Sequence, residues 1–125
     1  MTFLRNHIRD GAAALIVACA ATAAVPAVAV PRYDGLWSVS IVTTKGDCVA
    51  SYRYPMLIAN GVLANGGALA LNVSGKVAPS GAIKVMVSHG DTRAAGVGHL
   101  NGTVGRGSWS GASCAGSWTA ERRSS

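Results

Sequence analysis

Acidic residues, aromatic residues and histidines are scarce in this chain, and their scarcity excludes several activities. The 125 residues include five Asp and Glu, three His and only 6% aromatic residues. A typical glycosidase needs two carboxyl groups that flank the scissile bond. Asp34, Asp47 and Asp91 fall in predicted turns, so the sequence lacks the parts of a paired-carboxylate hydrolase.

Nucleophilic and metal-dependent catalysis also lack their parts. Ser88, His89 and Asp91 are close in sequence, but neighbouring strand residues point to opposite faces, so Ser88 and His89 should diverge. In "GSWSG" at 107–111, tryptophan occupies the place of the nucleophile in the G-x-S-x-G motif. His89 and His99 could approach on adjacent strands, but two ligands are too few for a closed metal site. We therefore expect no enzyme and no cofactor.

The first 29 residues differ in kind from the rest. "MTFLRNHIRD" carries Arg5 and Arg9, and the alanine-rich apolar run behind it reaches an A-x-A sequence at 27–29. A basic start, an apolar centre and small residues at the end are typical of a cleaved secretory signal peptide. Residues 1–29 are thus the predicted signal and 30–125 the single domain. A retained membrane helix is the alternative, although Pro26 and Pro31 interrupt the run.

Cys19 adds a second alternative for the N-terminus. The segment "IVAC" at 16–19 resembles the lipobox of bacterial lipoproteins, whose cysteine is acylated and becomes the first mature residue. An acyl chain would tether the protein to a membrane. The expected location is periplasmic or secreted, with anchoring through Cys19 as the alternative.

Removing the predicted signal leaves two cysteines, Cys48 and Cys114. An even count in an exported chain favours one disulfide. The alternatives are a metal site and a catalytic thiol. Without a C-x-x-C pair, the two distant cysteines make a poor metal site.

Turn-forming residues recur at short intervals after residue 30, and the segments between them alternate apolar and polar residues. Asn60-Gly61 and Asn101-Gly102 suit tight hairpin turns because both residue types tolerate positive φ. In the alternating segments, one face is apolar, which is typical of antiparallel sheet. The sequence predicts an all-β fold, a compact antiparallel up-and-down barrel of about eight short strands. The apolar sets are Trp37, Val39 and Ile41; Leu69, Leu71, Val73 and Val77; and Ile83, Val85 and Val87.

All three tryptophans occupy the same frame, G-x-W followed by Ser or Thr, at 35–38, 107–110 and 116–119. Side chains on a strand repeat with a period of two, so the glycine lies on the same face as its tryptophan. Because glycine has no side chain, the indole could lie over its backbone. We interpret Trp37, Trp109 and Trp118 as plugs that fill a glycine-rich barrel.

With G-x-W on the first strand and an arginine just past the last strand, the pattern resembles the lipocalin–avidin (calycin-like) barrels. In those families the first-strand tryptophan plugs one barrel end and a basic residue packs across it. The resemblance implies these roles for Gly35 and Trp37, with Arg122 or Arg123 as the partner. Cation–π packing gives that pairing a physical basis.

The chain also resembles a group of small exported bacterial proteins of uncharacterised function. They carry "YDGLWSV" near the mature start, here at 33–39, and C-x-G-x-W-x-A-x-R at the end, here at 114–122. This resemblance implies no activity. Small secreted bacterial protease inhibitors share the compact barrel and single disulfide.

The mature chain is basic, with nine Lys and Arg against four acids. Such a surface is attracted to anionic lipid head groups or acidic polymers, or is simply solvated. The basic residues are scattered about one per predicted strand or turn, without interleaved aromatics. We therefore expect no nucleic-acid partner.

"ASYRYP" at 50–55 holds the candidate binding residues. Tyr52 and Tyr54 share a face, with Arg53 opposite. Tyrosines lining a barrel would suit an amphipathic ligand, and Tyr and Arg are common interface anchors. Alternatively, the tyrosines are a buried pair on a core strand. The sequence favours a binding module for a small hydrophobic or amphipathic molecule; the alternative is a protein-facing inhibitor or adaptor.

Overall fold

A computed structural model describes residues 32–125, and the predicted signal peptide and Cys19 lie outside this part of the chain. Eight strands follow one another, and turns and loops connect them. They are β1 (Gly35–Lys45), β2 (Ser51–Ala59), β3 (Val62–Asn65), β4 (Asn72–Val77), β5 (Ala82–His89), β6 (Thr92–Asn101), β7 (Val104–Gly111) and β8 (Ala115–Ser124).

The strands close into an antiparallel up-and-down barrel, as the sequence predicted. Each strand pairs with the next, and β8 pairs with β1, so the sheet has no free edge strand. The seam with the fewest paired residues lies between β3 and β4, which share one pair, Val62 with Lys76. Within residues 32–125 there is no helix long and apolar enough to cross a membrane.

The hairpin turn between β2 and β3 has the backbone conformation that its Asn-Gly sequence predicts. Asn60 has φ of 53° and Gly61 has φ of 75°. Positive φ at both central residues defines the turn whose twist matches that of paired strands. The Asp34 carboxylate accepts hydrogen bonds from both backbone N–H groups, at 2.6 Å from Asn60 and 3.0 Å from Gly61. An acid outside the hairpin therefore holds the turn.

Alternating side chains build the core inside the barrel. The buried cluster takes residues from every strand except β4 and β7, and from the segment before β1. One assignment of the apolar sets was wrong: Leu69 is 60% exposed and lies in the 66–71 loop, because β4 begins only at Asn72. The buried cluster is Tyr33, Trp37, Met56, Ile58, Leu63, Ile83, Leu100, Trp118 and Ala120.

The predicted disulfide is present. Cys48 and Cys114 are bonded, with their Cα atoms 6.2 Å apart. Cys48 follows β1 and Cys114 precedes β8, so the bond joins two loops at the same end of the barrel. A disulfide of this kind is typical of an oxidising compartment.

Candidate functional site: an apolar cavity closed at one end

The barrel end that contains the start of β1 is closed by Trp37. This side chain is 1% exposed, and its indole Nε1 donates to the Tyr33 carbonyl at 2.9 Å. Tyr33 is itself buried at 7% exposure. The segment before β1 therefore folds over the end of the barrel and supplies the acceptor that the buried indole N–H requires.

Arg122 fixes this closure. Its guanidinium carbon lies 5.9 Å from the Trp37 ring centroid, within the range of a cation–π contact. Its Nη2 donates to the carbonyls of Asp34, at 2.6 Å, and Arg32, at 3.0 Å. Its Nε also donates to the Asp34 carbonyl. The last strand thus holds the segment before the first strand across the barrel end. The other arginine that the resemblance allowed, Arg123, is 57% exposed and contacts Glu121 instead.

The other two tryptophans do not lie at the closed end. Trp118 is buried in the barrel wall, and Trp109 is half-buried nearer the opposite end. Their N–H groups donate to the carbonyls of Val97 and Val42, respectively. Both side chains line the cavity inside the barrel, whereas the sequence predicted that they would fill the interior.

The repeated frames accommodate one another across the β7–β8 seam. Gly107 pairs with Trp118, and Trp109 pairs with Gly116. A Cβ atom on Gly107 would overlap the Val97 carbonyl and lie 2.7 Å from Trp118 Cε2, and one on Gly116 would overlap the Val42 carbonyl and lie 2.9 Å from Trp109 Nε1. At each of these two positions, the indole of one frame therefore lies against the glycine of the other. The sequence predicted that each indole would lie over the glycine of its own frame; at Gly107 and Gly116 the structure places the indole of the other frame beside the glycine.

Inside the barrel lies a cavity of about 130 Å³. None of its lining residues is charged. Its volume is similar to that of an engineered apolar cavity that binds benzene, and below that of sites for drug-sized ligands. The cavity therefore suits a small apolar group. Its lining is Trp37, Val39, Ile41, Tyr52, Tyr54, Met56, Ile58, Leu63, Leu71, Val73, Ile83, Val85, Val87, Ala94, Ala95, Gly96, Leu100, Trp109, Trp118 and Ala120.

The opposite end of the barrel is the mouth, and the 66–71 loop lies beside it. The Tyr54 hydroxyl donates to the Asn65 side-chain oxygen and contacts the Leu69 carbonyl. The Asn65 amide nitrogen donates to the carbonyls of Leu69, at 2.7 Å, and Leu71, at 3.1 Å. A His89 ring nitrogen lies 3.0 Å from the Ala70 carbonyl. Side chains from β2, β3 and β5 thus hold the loop in place.

The structure separates the three candidate binding residues. Tyr54 is 4% exposed within the cavity wall, whereas Tyr52 lines the cavity at the mouth and is 48% exposed. Arg53 points the other way and lines a groove on the outer surface. The two tyrosines belong to one site and Arg53 to another.

The two described histidines lie far apart. His89 pairs with Thr92 at the end of β5, whereas His99 pairs with Ala82 at its start. In the described part of the chain, no three His, Cys, Asp or Glu residues come together as metal ligands would.

Sequence reasoning did not find Asn65 or the 66–71 loop. The "NGG" sequence at 65–67 predicted only a turn. The sequence does not show that the Asn65 side chain also accepts a hydrogen bond from Tyr54. Comparison of the chain with protein-family models, with curated proteins and with solved structures finds no match. The barrel and its cavity are therefore the basis for a functional argument.

Proposed function

We propose that this protein is a non-enzymatic binding module that holds a small hydrophobic molecule, or the apolar end of an amphipathic one, inside the barrel. The observation that carries the proposal is the cavity of about 130 Å³ with an uncharged lining. Its tryptophan N–H groups already have protein acceptors. A ligand in contact with this lining gains mainly from leaving water, at roughly 25 cal/mol per Å² of apolar surface.

The two ends of the barrel determine how such a ligand enters. Trp37 and Arg122 close one end, while Tyr52 is half-exposed at the other. An amphipathic ligand would place its apolar part toward Trp37 and leave its polar head near the Tyr52 ring. Tyr52 suits this position because its ring is apolar and its hydroxyl is polar.

Straight-chain primary alcohols of increasing length test the proposal. Each buried methylene contributes about 0.8 kcal/mol, so affinity should rise about fourfold per carbon until the cavity is full and then level off. Quenching or shifting of tryptophan fluorescence reports binding, because all three tryptophans line the cavity. Absence of binding across the whole series would refute the proposal.

A matched pair of variants locates the site. Val87 is half-buried and lines the cavity, whereas Val97 is 50% exposed on the outer face of β6. Val87→Phe should fill the cavity and weaken alcohol binding by roughly tenfold or more, a loss of about 1.4 kcal/mol. Val97→Phe should bind the alcohols with the same affinity as the unmodified protein. Equal affinities in the two variants would place the alcohol outside the barrel.

A second candidate function is a protein-facing module, such as a periplasmic protease inhibitor or adaptor. The observation in its favour is a set of exposed apolar side chains at the mouth: Val49 is 67% exposed, Leu69 60% and Tyr52 48%. Exposed apolar residues at one end of a small protein are typical of interaction sites. Replacing Val49 and Leu69 with serine should abolish partner capture and leave alcohol binding unchanged if this function holds.

We further propose that the chain is exported, on the basis of the disulfide and the signal-like first 29 residues. Native mass spectrometry of protein from its own cell envelope tests this. A mass beginning at Val30 indicates a cleaved signal, and an acylated mass beginning at Cys19 indicates a lipoprotein. An uncleaved chain would contradict both. An extra mass that leaves on denaturation would reveal a bound molecule and give its mass.

A further inference from the structure

Basic and hydroxyl side chains that are scattered in sequence form one row across the outside of the barrel. The row follows the strand register: His99 pairs with Arg106, Arg106 with Thr119, Thr119 with Ser40, and Ser40 with Arg53. It therefore crosses β6, β7, β8, β1 and β2 without a break. All five residues except the half-buried Ser40 are exposed.

The same five residues line a groove in the outer surface, together with Ser38 and Asn101. Neighbouring strands lie about 4.8 Å apart, so the backbones at Arg106 and Arg53 are separated by roughly 14 Å along the sheet. Thr119 and Ser40 lie between them and offer hydroxyl donors. The groove thus presents two arginine side chains with hydroxyl groups between them.

Two further basic residues extend this row around the barrel. Lys76 on β4 lies directly opposite Lys84 on β5, a like-charge pair that destabilises the sheet. Lys84 pairs with Val97, two residues before His99, which makes Lys84 and His99 diagonal neighbours. We call Lys76, Lys84, His99, Arg106 and Arg53 the basic belt.

Little negative charge offsets the basic belt within residues 32–125. Asp34 is engaged by the backbone of the Asn60-Gly61 turn. Asp47 and Asp91 lie in turns at the mouth. Glu121 is the one acid that lines the groove, and it contacts Arg123 at 3.6 Å. An external anion would therefore relieve the repulsion within the belt.

We propose that the basic belt binds a flexible linear polyanion, a chain with repeated phosphate, sulfate or carboxylate groups. The fold distinguishes this partner from a flat anionic membrane. In an eight-stranded barrel, β5 lies opposite β1, so a flat surface cannot contact Lys84 and Ser40 together. A flexible chain can follow the belt and place anions at Arg106 and Arg53 with the hydroxyls between them.

The test measures the affinity of the full chain for long-chain inorganic polyphosphate over a range of salt concentrations. The variant R53S/R106S removes two belt charges, and K45S/R93S removes two exposed charges at the mouth, outside the belt. We expect R53S/R106S to weaken binding by roughly tenfold or more. It should also reduce the slope of log K against log salt by about 1.4, close to 0.7 for each lost contact. K45S/R93S should change affinity by less than about twofold.

Chain length and a membrane probe complete the test. Tripolyphosphate is too short to follow the whole belt around the barrel and should bind much more weakly than the long polymer. Equal weakening by the two double variants would show that only net charge matters and would overturn the proposal. Tight binding to phosphatidylglycerol vesicles without binding to the free polymer would also overturn it, in favour of a membrane surface. Alcohol binding should be unaffected by R53S/R106S, so this proposal and the cavity proposal fail independently.

Discussion

Replacing Arg122 with alanine should open the closed end of the barrel. The guanidinium donates to the carbonyls of Asp34 and Arg32 and lies 5.9 Å from the Trp37 ring centroid. A hydrogen bond to a charged group contributes about 1.5–3 kcal/mol, and a cation–π contact about 0.5–2 kcal/mol. These contributions are not fully additive, so we expect the free energy of unfolding to fall by about 2–4 kcal/mol.

The neighbouring arginine is a matched control for this variant. Arg123 carries the same charge and lies on the same strand, but its ion pair with Glu121 joins two side chains that are 57% and 61% exposed. Exposed pairs of this kind contribute about 0–1 kcal/mol. Arg123→Ala should therefore leave stability almost unchanged.

Urea unfolding of the two variants measures the difference. In thermal unfolding of a domain of this size, a loss of 1 kcal/mol lowers Tm by roughly 4–8 °C, so Arg122→Ala should melt at least about 8 °C below the unmodified protein. Arg122→Lys keeps the positive charge but lacks the planar guanidinium group. Its stability should therefore lie between those of Arg122→Ala and the unmodified protein. Equal effects of Arg122→Ala and Arg123→Ala would refute the closure that we describe.

Three further predictions concern the disulfide, the tryptophan frames and the mouth. C48S/C114S should destabilise the protein by up to about 4 kcal/mol, because the disulfide spans 66 residues of chain, and urea unfolding with and without reductant measures this. Gly107→Ala should cost about 1–3 kcal/mol, because its Cβ would overlap the backbone carbonyl of Val97 and lie 2.7 Å from Trp118 Cε2, and it should change tryptophan fluorescence. Tyr54→Phe should cost about 1–2 kcal/mol and speed amide exchange in the 66–71 loop, because Asn65 loses its hydroxyl partner.

Each of these three predictions has an outcome that contradicts it. Reductant should leave C48S/C114S unchanged; further destabilisation would point to an effect other than loss of the bond. Ser108→Ala, on the exposed face next to Gly107, is the control for the glycine, and equal losses would remove the packing argument. Tyr52→Phe is the control for Tyr54→Phe, and faster loop exchange in both would show that the Asn65 contact does not hold the loop.

The proposed cavity and belt use opposite faces of the same strands. On β2, Tyr52 and Tyr54 line the cavity while Arg53 lies in the outer groove. Side chains on a strand alternate between faces, so a single short sequence serves both surfaces. The two proposed activities can therefore be altered separately by substitutions one residue apart.

Parts of the fold and site were predictable because their signals are local. Asn60-Gly61 needs only its own backbone preferences to indicate a hairpin, and the alternation in "LWSVSIVT" needs only the period of a strand. Leu69 was misplaced for the converse reason. The segment "ALALNVSGKV" at 68–77 alternates apolar and polar residues, but the side chains of Tyr54 and Asn65 hold Leu69 in the loop, and the alternation does not show those contacts.

The sequence by itself determined the approximate strand count and the antiparallel barrel, since turn chemistry and side-chain period are properties of short segments. It also determined the pairing of Cys48 with Cys114, because these are the two cysteines left once the predicted signal peptide is set aside. Only the tertiary structure decided that Arg122, and not Arg123, covers Trp37, because adjacent strand residues face opposite sides of the sheet. It also decided that the tryptophan frames interlock across β7 and β8, and that isolated basic residues become a belt. Those relations depend on strand register, which closure of the whole barrel fixes.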